Sequence, residues 1–216
     1  MVSPRTGDAA RWFRGLPLIA LVVLMTLPGD AHGRVFRVQL DGDKPRERVL
    51  LQKKRCPKVS SLRCSRLALR DGRRKAALTR FTQRPRFPYG WQVRRVRFVD
   101  FTGDGRAEVA WALDTSGATV SSPSLKGVHH WNGRRASRIF RFPNARKPPR
   151  GYAYVVYVTW RIVRSAGGGL PEIETRESLH RRDDPNCCPS AYRLIRHRWN
   201  GDRIAPVPGS TRIEPA

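Results

Sequence analysis

Acidic residues are scarce in this chain: 17 Asp and Glu stand against 43 Lys and Arg, a formal charge of +26 at pH 7. That balance attracts polyanions and repels cations at long range. It does not by itself make a nucleic-acid reader, which needs the charge gathered on one face. The 36 arginines and 7 lysines are instead spread along the whole chain, so no specific nucleic-acid partner is expected. Helical periodicity is missing after the first apolar run, which excludes a helix bundle. No apolar run reaches the about 20 residues that a bilayer span requires. Cysteine is limited to four residues without C-x-x-C or zinc-type histidine spacing, which argues against structural zinc.

What is present begins with a leader. Arg11 and Arg14 precede twelve apolar-rich residues, Leu16 to Leu27, and Gly29-Asp30-Ala31 supplies small residues at the positions a signal peptidase reads. This pattern predicts a secretory signal over 1–31, a mature chain of 32–216 with no stable membrane span, and a place outside the cell or in its envelope. In an oxidising compartment Cys56, Cys64, Cys187 and Cys188 read as two disulfides. Pairing Cys56 with Cys64 would force a strained bond between the neighbours Cys187 and Cys188, so cross-pairing is favoured.

The rest is a threefold pattern. Val99-Asp100-Phe101-Thr102-Gly103-Asp104-Gly105-Arg106-Ala107-Glu108-Val109 sets an acidic, glycine-containing corner between two β-prone runs. Asp43 and Glu47 repeat it 61 residues earlier, and Glu172 lies 64 residues after Glu108, in a copy that keeps glycines and loses the loop acids. Each corner is followed by a hairpin signal: Asp71-Gly72, Asn132-Gly133 and Asn200-Gly201. The spacing from corner glutamate to turn glycine is 25, 25 and 29 residues. Each unit reads as four short strands, with Val35–Leu40, Val93–Val99 and Tyr154–Val163 entering the corners. The fold expected is all-β: three four-stranded antiparallel blade-like repeats, roughly 35–88, 91–150 and 151–208, in one domain over 32–216. Tyr154, Val156, Val158, Trp160 and Ile162 form the leading core candidate. A small threefold ring, an incomplete propeller and assembly with another chain all satisfy this pattern.

The corner at 99–109 resembles the calcium-loop signature of FG-GAP and VCBS repeats, the blades of integrin-type β-propellers. The resemblance implies an extracellular binding or adhesion module and a calcium ion on Asp100, Thr102, Asp104, Glu108 and the Arg106 carbonyl. In the first unit Gln39 and Lys44 depart from it. The Cys187-Cys188-Pro189-Ser190 run is similar to runs in small exported bacterial proteins.

Two further readings follow from the residues. Arg73, Arg74, Arg134, Arg135 and Arg203 take equivalent places at the three hairpin tips, where guanidinium groups suit the phosphate or carboxylate of an anionic envelope polymer. Another protein is the other partner class. A secreted hydrolase would need a nucleophile with its base, or two carboxylates across a cleft. Glu174, Glu177, Asp183 and Asp184 form the remaining acid-rich patch, with no hydrolase spacing, so a non-enzymatic role is expected. His129 and His130, neighbours on a strand, point to opposite faces and do not suit one metal.

Overall fold

The computed structural model describes residues 33–43, 46–56, 59–79, 90–116, 126–141, 147–165, 167–185 and 187–216. The expected leader at 1–31 and the proline-rich connector at 84–88 lie outside these residues. Three antiparallel sheets follow one another in chain order. The first runs β1 (Arg34–Val38), β2 (Glu47–Cys56), β3 (Val59–Asp71), β4 (Arg74–Ala77). The second runs β5 (Gly90–Val99), β6 (Glu108–Ser116), β7 (Lys126–Trp131), β8 (Ala136–Arg141). The third runs β9 (Tyr154–Val163), β10 (Glu172–His180), β11 (Ala191–Trp199), β12 (Ile204–Pro206). Each is a meander whose first connection is the glycine-containing corner and whose last is the Asp-Gly or Asn-Gly hairpin.

One strand was not foreseen. β13 (Arg212–Pro215) also pairs with β11, covering Ala191 to Leu194, while β12 covers His197 to Trp199. The outer edge strand of the third sheet is thus split in two. Pro206 and Pro208 break it, since proline cannot donate to a ladder. The gap is bridged by Val207 donating to the Arg196 carbonyl at 2.8 Å and by Arg196 donating to Ser210 Oγ at 3.2 Å.

Two apolar layers hold the sheets together. Val49, Leu67 and Leu69 of the first sheet pack against Val109, Trp111 and Trp131 of the second, with Leu40 and Leu78. On the other face of the second sheet, Phe101, Ala110, Val128, Ile139 and Phe140 meet Ile173 and Ile204 of the third. Successive residues of a strand face opposite ways, so Val109 and Trp111 face one neighbour and Ala110 the other. That is why β6, after Glu108, carries the uninterrupted apolar run Val109 to Leu113. The β9 stripe is secondary: Val158, Trp160 and Ile162 are only partly buried at the second layer.

The outward face of the third sheet is charged. Glu172 and Glu174 are buried beneath arginines: Arg198 Nε donates to Glu172 Oε1 at 2.7 Å, Arg161 Nε to Glu174 Oε1 at 2.8 Å, and Arg212 Nη2 to Glu174 Oε2 at 3.1 Å.

The expected tie between 56–64 and 187–188 is not made. Cys187 and Cys188 are exposed free thiols, while Cys64 is disulfide-bonded. The second sheet stands between the two regions, and packed sheets are about 10 Å apart, beyond the about 7 Å that a disulfide spans between Cα atoms. Cys187 and Cys188 belong to a turn closed locally by Cys188 donating to the Pro185 carbonyl at 3.0 Å and by Asp184, which accepts from Arg181 N and Ser190 N.

Candidate functional site

The three corners share one device. Glu108 Oε2 accepts the Phe101 N–H at 2.7 Å, and Glu47 Oε2 accepts the Leu40 N–H at 2.6 Å. Glu172 takes the Ser165 hydroxyl at 3.2 Å in the third unit. All three glutamates are buried. The repeated glutamate therefore pins the two ends of each corner together across seven residues.

In the second unit the structure brings Asp100, Asp104 and Glu108 together, with one carboxylate oxygen of each within 4.8 Å of the others. The same carboxylates already accept hydrogen bonds from the corner. Asp100 takes Gly103 N at 2.6 Å and Gly105 N at 2.9 Å, and Asp104 takes Arg106 N at 2.9 Å. Thr102 Oγ1 donates to Glu108 Oε1 at 3.1 Å, and His130 Nδ1 lies 2.9 Å from that oxygen. Burial pushes the Glu108 carboxyl up, against the opposing pull of His130, Phe101 N–H and Thr102. A cation at this corner would compete with those donors.

The first unit differs. Gln39 stands in place of Asp100 and reaches the Asp43 carbonyl. Asp41, at the position of Thr102, faces Glu47. Glu47 Oε1 is buried with no donor, Asp41 Oδ2 has the Trp131 indole N–H near it but no full hydrogen bond, and two carboxylates can satisfy each other only by sharing a proton. Burial, then the hydrogen bond to Asp41, raise the Glu47 carboxyl to about 7. Asp71, from the end of β3, joins them, so Asp41, Glu47 and Asp71 form a second acidic cluster. Sequence reasoning missed it. The signal was available, because Asp71 lies 61 residues before Asn132, the offset that also relates the corners.

The five tip arginines Arg73, Arg74, Arg134, Arg135 and Arg203 are all exposed. Arg74 donates to the Gly133 carbonyl, joining the first tip to the second. Asn132 and Asn200 cap their own turns, accepting from Arg134, Arg135, Asp202 and Arg203 at 2.8–3.1 Å. Glu177 pairs with Arg193 inside the protein, Glu174 lies under Arg161 and Arg212, and Asp184 accepts from Arg181 N, Ser190 N and the Ser190 hydroxyl, so the acid-rich patch is divided among separate partners. His180, close to the cysteines in sequence, is buried and stacked on Tyr154 with ring centroids 5.0 Å apart. His129 accepts from Trp111 Nε1 at 3.0 Å, so the two adjacent histidines serve different partners.

The charge is organised on the outer face of the first sheet. Arg37 pairs with Arg48, Arg48 with Arg70, and Arg70 with Lys75, directly opposite one another across all four strands. All four are exposed. Arg66 projects from the same face two rungs along β3. The equivalent face of the second sheet carries Val109 and Trp111, and that of the third Ile173, each packed on the preceding sheet. No family model, curated protein or solved structure matches the chain.

Proposed function

We propose that this chain is a non-catalytic binding module that holds a linear anionic glycan against the outer face of its first sheet. The Arg37–Arg48–Arg70–Lys75 row carries this reading. Neighbouring strands lie about 4.8 Å apart, so four cations span about 14 Å in a line. Like charges directly opposite one another cost stability, and among the described residues of this face no acid offsets them. A polymer with regularly spaced carboxylates or sulfates supplies the missing counter-charge, and Arg forks bind such groups bidentately. Single-stranded nucleic acid is bound largely by stacking on aromatic side chains. The face offers Val35, Leu50, Ala68 and Ala77 beside the row, and no aromatic residue among those described. The outer faces of the first and third sheets both carry more arginine than acid, which favours an open stack over a closed ring.

The test is retention of the purified protein on an alginate or heparin column as salt is raised. Replacing Arg37, Arg48, Arg70 and Lys75 by Gln should lower the eluting salt concentration far more than replacing Arg134, Arg135, Arg182 and Arg203. Equal loss from both sets would leave only nonspecific attraction. Tighter binding of single-stranded DNA than of either glycan at matched charge would overturn the choice of polymer.

A further inference from the structure

Asp41, Glu47 and Asp71 come from three separate segments: the first corner, the start of β2 and the end of β3. Glu47 is 1% exposed. Its Oε1 is buried without a donor, and Asp41 Oδ2 beside it has the Trp131 indole N–H as its neighbouring donor, too poorly placed for a full hydrogen bond. Among the described residues no arginine or lysine forms an ion pair with any of the three, in a chain with 43 such side chains. The contrast with the second unit is chemical. There Thr102 and His130 occupy Glu108 Oε1, whereas Glu47 Oε1 meets another carboxylate.

Asp71 departs from its equivalents in the same direction. Asn132 and Asn200 use their side-chain oxygens on the N–H groups of their own turns. Among the described residues Asp71 accepts no such bond, and its carboxylate joins the cluster instead. Gly133, from the hairpin of the second unit, lies over Asp41: a Cβ there would sit 3.2 Å from Asp41 Oδ2.

We propose that Asp41, Glu47 and Asp71 form a binding site for a hard divalent cation such as calcium, at the seam between the first and second units. The donors are all carboxylate oxygens, the ligand class of calcium, magnesium and manganese rather than of zinc or copper. The cation takes the place at Glu47 Oε1 that no donor fills, and water completes its shell. The Arg106 guanidinium against Gly42 and Arg74 on the Gly133 carbonyl stand near the site and oppose the cation without pairing with its carboxylates, while arginines farther off are screened beyond about 10 Å at 0.1 M salt. This is a different donor set from the second-unit corner, since one ligand comes from the hairpin rather than from the loop.

The experiment uses the chelator-treated full chain with terbium as probe, calcium as competitor and no polymer present. The Trp131 indole interacts with Asp41 and serves to sensitise terbium luminescence. Wild type should give luminescence that calcium displaces, and a rise in Tm of about 5–10 °C at calcium 100-fold above Kd. Asp71→Asn should abolish both effects. It recreates the Asn-Gly turn of the other two hairpins and so retains the fold, which the metal-free Tm checks. Asp41→Asn should behave likewise, and Asp104→Asn, in the second-unit corner, should leave both effects in place. Absence of both effects in wild type, their survival in Asp71→Asn and Asp41→Asn, or their loss in Asp104→Asn alone would overturn the proposal.

Discussion

Glu108 and Phe101 are joined by a charge-assisted hydrogen bond, Phe101 N–H donating to Glu108 Oε2 at 2.7 Å in the interior. Stranding a buried donor costs about 1–3 kcal/mol. Glu108→Ala should therefore destabilise the chain by about that amount in urea unfolding. Glu108→Gln should cost less, because the amide oxygen still accepts from Phe101. Equal stability of Glu108→Ala and wild type would mean that the corner is held by other contacts.

The second and third corners touch through Gly103 and Leu170. Gly103 has φ +79, and a Cβ on it would lie 2.9 Å from Leu170 Cδ2. Gly103→Ala should cost about 1 kcal/mol or more from backbone strain alone, with the clash in addition. Leu170→Ala removes the clash but not the strain. A double-mutant cycle should give a coupling of at least about 0.5 kcal/mol; additive effects would show that Leu170 simply moves aside.

His129 makes stability sensitive to acid. Burial, then the charge of Arg138 opposite it, lower its pKa from 6.5 to about 4. The unfolded ring takes up a proton below about 6.5 while the folded ring stays neutral. Its contribution is therefore full above pH 6.5 and is lost as pH falls toward 4, by up to about 3 kcal/mol. His129→Gln keeps an acceptor for Trp111 Nε1, and its stability relative to wild type should rise through that window. A constant difference between the two proteins from pH 7 to 4 would show that His129 protonates equally well folded and unfolded.

Strand order and the hairpins were legible because their signals are local. Asp71-Gly72, Asn132-Gly133 and Asn200-Gly201 each close the turn expected, and β9 covers the span Tyr154–Val163. The cysteine pairing was not legible, because it depends on which sheets are neighbours. The role of the repeated glutamate was half visible. Its spacing marked the corner, but spacing does not say whether a carboxylate faces a backbone N–H, an arginine or another carboxylate.

The sequence by itself determined that this chain is all-β, strongly basic and built as three meandering units, since alternation, turn chemistry and composition act over a few residues at a time. Only the tertiary structure decided where its charges stand. Antiparallel register placed Arg37, Arg48, Arg70 and Lys75 in one line, although they are scattered over 39 positions of the chain. Folding of the first hairpin against the first corner brought Asp71 to Asp41 and Glu47, in the copy of the motif that had looked the weaker of the two acidic ones. Both groupings arise from contacts between residues distant in sequence, and such contacts are set by packing rather than by local pattern.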